Sequence, residues 1–259
     1  MSPNNKPEGY QAPAVHKAFQ LLELVSKSDR GIGISDIAKA LGISKGTTSG
    51  LTQALLKLKV LNQSPQGKKY FLGPALVELS LSAWNYLKLN KTAQPILEEL
   101  RDLTGETVFL GACSLDRTFI FATAEAAKPI KITSPAGTTI PLFAGATGKA
   151  FLSLMTDEHC TDLIKRHGLP QFTPHSITSE ERYMADLRRV RERGYALDNE
   201  EYMPGVSAIA VSLGNLRGLP LAVWVVGFAN TLRTDQIHRI AQQVKQLAEK
   251  LKTSLDNQP

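Results

Sequence analysis

A single glycine, Gly42, separates two short segments that each have the apolar spacing of a helix, and this feature constrains the fold more than any other. The first segment, DIAKAL, follows Ser35, and the second, KGTTSGLTQALLKLK, follows Ser44. Serine is a residue type that caps helix N-termini, so both helices are predicted to begin there. The predicted buried residues are Ile37, Ala38 and Leu41 in the first helix and Leu51, Leu55 and Leu58 in the second.

The flanking segments complete a set of three helices and a hairpin. Residues 14–27 have the pattern of an amphipathic helix, with Val15, Phe19, Leu22 and Val25 on one face. Two short strands, Val60–Gln63 and Tyr70–Leu72, are predicted around the turn SPQGKK. This order is the layout of a winged helix-turn-helix, predicted here over residues 14–73 after a disordered arm at residues 1–13.

The net positive charge is concentrated in this part of the chain. Residues 1–72 hold ten Lys and Arg against four Asp and Glu, whereas the rest of the chain holds twenty of each sign. The whole excess of +6 therefore belongs to the N-terminal part. A basic region beside a neutral body is what binding to a polyanion requires, so double-stranded DNA is the predicted partner. The alternative is a small helical domain with a solvated lysine face.

The second helix of a helix-turn-helix enters the major groove, and the wing contacts phosphates. Hydroxyl side chains bind phosphates or base edges, and lysines bind phosphates. Lys57 and Lys59 could add phosphate contacts. The predicted DNA-binding residues are Ser44, Lys45, Thr47, Thr48, Ser49 and Thr52 in the helix and Lys68 and Lys69 in the wing.

The pattern changes after the hairpin. Residues 74–91 are predicted to form an amphipathic linker helix that could pack against a second chain, and residues 92–259 an α+β sensor domain. The sensor domain is expected to contain helices at about 93–104, 157–167, 179–193 and 233–255, a helix from about Thr147, and strands in ETVFLGAC, TFIFATAE, KPIKITS, SAIAVSL and PLAVWVVGF.

Metal, membrane and catalytic chemistry find no support in the sequence. No run of 18 apolar residues is present, and the N-terminus lacks the apolar core of a signal peptide. The histidines have no metal-ligand spacing, and Cys113 and Cys160 are far apart, which favours buried thiols in a reducing cytoplasm. His159 and Cys160 are neighbours on a predicted helix and therefore point about 100° apart. We expect no cofactor and no enzymatic activity.

The stretch GATGKA, residues 145–150, places a glycine-rich turn at a helix start. Backbone N–H groups and the helix dipole there suit an anion such as a carboxylate. The alternative is a tight turn that packing requires. A phosphate loop is excluded, because Phe143 and Ala150 occupy positions where that motif needs glycine and Ser or Thr.

Six segments of the chain, taken together in their order and spacing, are specific for one protein family. They are AFQLLELV, ISDIAKALGISKGTTSGLTQALLKL, KYFLGPALVEL, ILEELRDLTGETVFLGA, PLFAGATGKAFLS and ERGYALDNEEYMPGVSAIAV. From about Ala14 to Leu255 the chain thereby resembles the IclR family of bacterial transcriptional regulators. The resemblance implies a winged helix-turn-helix, a linker helix and a GAF-like effector-binding domain. It also implies dimers or tetramers on palindromic operators.

The sequence departs from the family pattern in both predicted domains. Family recognition helices usually carry a Ser-Thr pair followed three residues on by Arg, whereas Gly46, Thr47 and Gly50 stand here. In the sensor domain, Ala208 and Val225 are apolar where the family often has Cys or another polar residue, which favours a small organic acid with an apolar or aromatic body. The effector-binding residues that the resemblance implies are Ile132, Ala146, Thr147, Gly148, Asp198, Val206, Ala208 and Val225.

The sequence leaves two alternatives open, one for the role of Asp198 and one for the class of protein. Asp198 could belong to a solvated acidic loop, since runs of charge usually face water. The chain could also be a small-molecule enzyme with an appended helical domain, although it shows no nucleophile, base and orienting group together. A protein-interaction module would leave the basic N-terminal region unexplained.

Overall fold

A computed structural model of the chain describes residues 12–87, 89–114, 117–216, 218–232 and 234–256. The predicted arm at residues 1–13 lies almost wholly outside the described residues. The chain forms two compact units, residues 1–87 and 88–259.

The first unit consists of helices around a two-stranded hairpin. Its elements are α1 (Pro13–Ser26), α2 (Ile34–Leu41), α3 (Lys45–Lys57), β1 (Leu61–Gln63), β2 (Tyr70–Leu72) and α4 (Pro74–Leu87). The hairpin is antiparallel and pairs Leu61 with Leu72. Ile32 pairs with Tyr70 as an isolated bridge and extends the wing.

The turn between α2 and α3 depends on Gly42. Its φ of 61° lies in the left-handed region, and its N–H donates to the carbonyl of Ala38, as does the N–H of Ile43. This is the arrangement in which glycine ends a helix at low conformational cost. The winged helix-turn-helix order predicted from the sequence is confirmed.

Three details of the first unit differ from the sequence prediction. Helix α2 begins at Ile34 with Gly33 as its cap, so Ser35 is not the cap. Leu58 is 65% exposed instead of buried, because α3 ends one residue before it. In α1 the buried residues are Leu21 and Val25, whereas Val15 and Phe19 face outward. The core comprises Leu21, Val25, Ile37, Leu55, Leu61 and Tyr70.

The second unit has a six-stranded antiparallel sheet in the order β5-β4-β3-β8-β7-β6. Its strands are β3 (Thr107–Ser114), β4 (Arg117–Ala124), β5 (Thr139–Pro141), β6 (Ala196–Asn199), β7 (Val206–Leu216) and β8 (Leu219–Phe228). Its helices are α5 (Leu89–Thr104), α6 (Gly145–Leu152), α7 (Asp157–His167), α8 (Glu180–Arg193) and α9 (Thr234–Asp256). Helices α5 and α9 pack on one face of the sheet, and α6 packs on the other with α7 and α8 outside it. The predicted α+β class is confirmed.

The predicted strand KPIKITS is wrong. Residues 125–135 have no regular secondary structure, and the edge strand is β5, which the sequence analysis did not predict. The edge of β4 is occupied by residues 137–141: Ile120 donates to the carbonyl of Thr138 and accepts from Gly137. Pro129 and Pro135 also lack the N–H that a ladder needs.

Candidate DNA-binding surface and effector cavity

The N-terminus of α3 is organised by Ser44. Its Oγ accepts a hydrogen bond from the N–H of Thr47 at 3.0 Å and lies 2.9 Å from the Thr47 hydroxyl. The predicted cap is therefore confirmed. Both side chains are exposed, as is Lys45 at the first helical position. These three residues lie where a recognition helix meets DNA.

Thr48 and Thr52 do not belong to this surface, and the exposure predicted for them is wrong. Both are fully buried. The Thr48 hydroxyl donates to the carbonyl of Ser44 and the Thr52 hydroxyl to that of Ser49, each at 3.0 Å. These intrahelical bonds satisfy the hydroxyls inside the core, so both threonines pack inward with Leu55.

The exposed face of α3 is lined by Gly46, Gly50, Gln53 and Lys57, which follow one another at helical spacing. Apart from the neighbouring part of α3 itself, no heavy atom of the described residues lies within 4 Å of a Cβ placed at Gly50. Sequence reasoning missed Gln53, although counting in steps of three and four from Gly46 leads to it. On this face the two glycines expose the helix backbone, and Gln53 presents an amide side chain. Ser49 is half-buried at the border of the face.

The wing brings basic residues from two segments together. The N–H groups of Lys68 and Lys69 both approach the Ser64 hydroxyl, which holds the turn. The Lys69 ammonium donates to the carbonyl of Arg30 at 3.2 Å, whereas both lysines remain exposed. Arg30, from the loop after α1, thus lies beside the wing and extends the predicted basic surface.

In the second unit a cavity of about 170 Å³ lies between the sheet and the start of α6. Asp198, Ala208 and Val226 are directly opposite one another on β6, β7 and β8 and share the face that lines it. Phe109 and Trp224 stack beside them with ring centroids 5.6 Å apart. The other apolar lining residues are Ile120, Ile132, Ile140, Ala144, Met203 and Val206. The hydroxyl-bearing lining residues are Ser134, Thr138, Thr139, Thr147 and Tyr202.

Five of the eight implied effector-binding residues line this cavity. They are Ile132, Thr147, Asp198, Val206 and Ala208. Val225 is fully buried on the opposite face of the sheet, where it pairs with Ile209. Its neighbour Val226 lines the cavity, because successive side chains of a strand point to opposite faces. Ala146, in the first turn of α6, is packed in the core and does not line the cavity.

Gly148 also has a structural role that differs from the predicted one. Its N–H donates to the carbonyl of Ala144 at 3.2 Å and is therefore not available to a ligand. A Cβ at this position would overlap the carbonyl oxygen of Leu142. The glycine is thus required for close packing of α6 against the preceding turn.

The N-terminus of α6 is adjacent to a carboxylate of the protein itself. A Cβ at Gly145 would overlap Oδ2 of Asp198, so the carboxylate lies directly against the glycine. Oδ1 of Asp198 accepts a hydrogen bond from the N–H of Glu201 at 2.6 Å. Burial raises the pKa of Asp198 from 3.8 to about 6, although its backbone hydrogen bonds and Lys149 oppose the shift. A ligand carboxylate at this helix end would meet a like charge.

Behind the cavity, a buried ion network fixes the segment that carries Asp198. The ammonium of Lys149 is 2.8 Å from Asp186 Oδ2, 2.6 Å from Glu201 Oε1 and 2.7 Å from the carbonyl of Leu197. Burial raises the pKa of Glu201 above its ordinary value, although the charge and the hydrogen bond of Lys149 oppose this shift. The sequence analysis did not predict this network, because the local helix pattern around Lys149 does not show which distant acidic residues approach its ammonium.

Two further findings concern the classes set aside above. Within the described residues, no group of three or more His, Cys, Asp and Glu could hold a metal ion. None of the described helices is long and apolar enough to cross a membrane. Cys113 and Cys160 are buried thiols, as predicted.

A winged helix-turn-helix joined to an α+β unit that contains a cavity is the arrangement of ligand-sensing bacterial transcription regulators. Two family models match the chain: the IclR helix-turn-helix domain over residues 14–65 and the bacterial transcriptional regulator IclR C-terminal domain over residues 82–253. The chain belongs to the IclR family, and its relatives are DNA-binding regulators rather than enzymes.

Individual relatives support the assignment along nearly the whole length. The chain is 31% identical to the HTH-type transcriptional regulator XynR of Escherichia coli over 78% of its own length and 80% of that protein. It is 25% identical to the repressor AllR of Salmonella typhi over 96% and 92% of the two chains. An IclR regulator from Alicyclobacillus acidocaldarius superposes with a TM-score of 0.73 at 29% identity, covering 95% and 100%.

Proposed function

We propose that this protein is a ligand-responsive regulator that binds a palindromic operator and senses a small hydroxylated organic acid with an aromatic or apolar body. The DNA-binding surface is the exposed face of α3 together with the wing. The effector site is the cavity beneath α6. The single observation that supports the ligand class best is one buried carboxylate, Asp198, in a cavity whose other lining residues are aromatic, aliphatic or hydroxyl-bearing.

The size of the cavity limits the ligand to about one ring. A cavity of about 150 Å³ in another protein holds a benzene molecule, and this one measures about 170 Å³. Phe109 and Trp224 offer ring faces for an aromatic body. An IclR homologue from Microbacterium hydrocarbonoxydans with the same fold (19% identity over 95% and 100% of the chains, TM-score 0.70) has been solved in complex with 4-hydroxybenzoate, a ligand of this type.

The polar groups of the cavity orient such a ligand. Asp198 is a hydrogen-bond acceptor when ionised, so it favours a hydroxyl donor at its end of the cavity. The ligand carboxylate is then directed toward Ser134, Thr138 and Thr139, which line the cavity and carry hydroxyl groups of the kind that donate to a carboxylate. This orientation replaces the predicted contact of the carboxylate with the N–H of Gly148.

Self-association supplies the symmetry that a palindromic operator requires. The first unit exposes Val15 and Phe19 on α1 and Val77 and Leu79 on α4, each more than half exposed. Large apolar side chains in such numbers favour contact with a second copy. We infer a dimer or tetramer, acting in the cytoplasm where bacterial chromosomal DNA lies.

Calorimetric titration with matched ligand pairs tests the sensing proposal. At pH 7.5 the chain should bind 4-hydroxybenzoate more tightly than benzoate by about tenfold or more, because a hydrogen bond to a buried charge is worth about 1.5–3 kcal/mol. Asp198→Asn should shrink this preference, whereas Asp162→Asn, an exposed carboxylate of α7, should leave it intact. Equal affinities for both acids in every variant would contradict the proposed orientation.

A further inference from the structure

Helix α8 carries two classes of arginine. Toward α7, Arg188 and Arg191 both pair with Asp157. On another face, Arg182 and Arg189 are exposed and make no side-chain hydrogen bond or ion pair with any residue that the structure describes. Arg193 lies on the same face as these two. Arg189 follows Arg182 by seven residues and Arg193 follows it by eleven, and both spacings are within about 20° of whole helical turns.

The unpaired arginines border a groove that is separate from the effector cavity. The groove has a volume of about 400 Å³, within the usual range for small-molecule sites. Four basic and two acidic side chains line it: Lys149, Arg182, Arg189 and Arg193 against Asp186 and Glu201. The lining therefore carries a net charge of +2 when all six groups are ionised.

The floor of the groove is rigid. Lys149 is 1% exposed, and both acidic side chains are bound to its ammonium. Arg193 is held in place, since its Nε donates to the carbonyl of Tyr195 at 2.7 Å and its guanidinium lies over the Tyr195 ring. Lys149 offsets one of the two negative charges, and Nη2 of Arg193 lies 4.0 Å from Oδ1 of Asp186. The guanidinium groups of Arg182 and Arg189 at the rim have no side-chain partner among the described residues.

We propose that this groove is a second ligand site, for a small phosphate-bearing anion. Planar guanidinium groups bind phosphate oxygens in pairs, which a single ammonium cannot do. Ile177, Ala185 and Leu197 add apolar wall beside the charges, enough for the body of a phosphate ester.

The groove is joined to the effector cavity by one residue. The Glu201 side chain binds Lys149 in the groove, and its N–H binds the Asp198 carboxylate that lines the cavity. Occupancy of either site should therefore change the affinity of the other by the same factor. This coupling rests on the proposed effector function, whereas anion binding in the groove does not.

Calorimetric titration of the full chain with inorganic phosphate and with phenyl phosphate, in a phosphate-free buffer, tests the site. We expect one anion per chain and a loss of affinity of about tenfold or more in the double variant Arg182→Gln/Arg189→Gln. The matched control is Arg166→Gln/Arg188→Gln, which removes the same charge from the same unit outside the groove.

Tighter binding of phenyl phosphate than of phosphate would identify an ester as the ligand, and equal binding would identify the free anion. Absence of binding to the wild type, or equal weakening in both double variants, would overturn the proposal. Repeating the titration with 4-hydroxybenzoate present measures the coupling separately: an unchanged phosphate affinity would refute the coupling and leave the anion site supported.

Discussion

The exposed face of α3 and the cavity beneath α6 both depend on glycine, but in opposite ways. Gly46 and Gly50 leave an open surface with little of the protein nearby. Gly145 and Gly148 are instead pressed against Asp198 and Leu142, with no room for a Cβ. The two glycines of α3 thus leave the proposed DNA-binding face open, whereas the two glycines of α6 allow close packing beside the proposed effector cavity.

The largest effect is expected when this packing is broken. Gly148→Ala places a methyl group onto the carbonyl oxygen of Leu142, and backbone atoms cannot move aside cheaply. We expect the second unit to lose about 3 kcal/mol or more of its free energy of unfolding. Urea denaturation followed by tryptophan fluorescence measures the change. An unaltered midpoint would mean that the turn before α6 is looser than described.

A smaller effect concerns the charge in the cavity. The pKa of Asp198 is about 6 in the folded chain and 3.8 ordinarily, so the folded state holds the proton more tightly than the unfolded state. Stability therefore falls as the pH rises from about 4 to 6, and the full cost, up to about 3 kcal/mol, is present at pH 7.

Asp198→Asn should consequently raise the melting temperature at pH 7.5 by several degrees, at about 2–4 °C per kcal/mol. The gain should disappear near pH 4. Asp162→Asn serves as the control at an exposed carboxylate. A gain that is the same at both pH values would show that ionisation of Asp198 is not its cause.

The wing is expected to contribute more modestly. Lys68→Ala/Lys69→Ala should weaken operator and random DNA alike, by about tenfold, and reduce the salt slope by about 2, since each phosphate contact contributes about 0.9. Lys68→Ala alone should account for more of the loss, because the Lys69 ammonium also binds the Arg30 carbonyl. Lys165→Ala/Lys252→Ala, in the second unit, is the charge-matched control. Loss of discrimination at constant affinity for random DNA would instead mean that the wing contacts bases.

The smallest effect is expected at the exposed face of α3, where the glycines lie in open space. Gly50→Ala adds a methyl group in open space within a helix and should stabilise the first unit by about 1 kcal/mol. The same methyl group should weaken DNA binding if this face enters the groove. Thermal unfolding and fluorescence anisotropy on one preparation separate the two effects. Stabilisation without any loss of DNA affinity would place the DNA-contacting face elsewhere on α3.

Local signals in the sequence predicted much of the fold. Gly42 and Ser44 fix the ends of α2 and α3 by chemistry that only neighbouring residues decide, and α7 was predicted with its observed bounds. Which face of α3 is buried was harder to predict from the sequence. Thr48 and Thr52 were expected outside because threonine is polar, yet a threonine hydroxyl that bonds a carbonyl of its own helix can be buried.

The cavity shows a second limit of sequence reasoning. Five of the residues that the resemblance implies line the cavity, whereas Val225 lies on the opposite face of the sheet and its neighbour Val226 lines the cavity. Both faces of the sheet are covered by helices, so β8 is apolar throughout and shows no alternation that would fix its register. Gln53 and the Lys149 network depend on helix phase and on contacts between segments distant in sequence, which no local pattern specifies.

The central claim is that DNA binding and ligand sensing reside in different units of one regulator. It is tested most directly by measuring operator affinity of the wild type and of Ala208→Trp with and without the acid identified by titration. Circular dichroism and the melting temperature establish that the variant is folded. We predict that the ligand changes the operator affinity of the wild type, whereas the folded variant binds the operator equally well and does not respond. An undiminished ligand response in the folded variant would contradict the account.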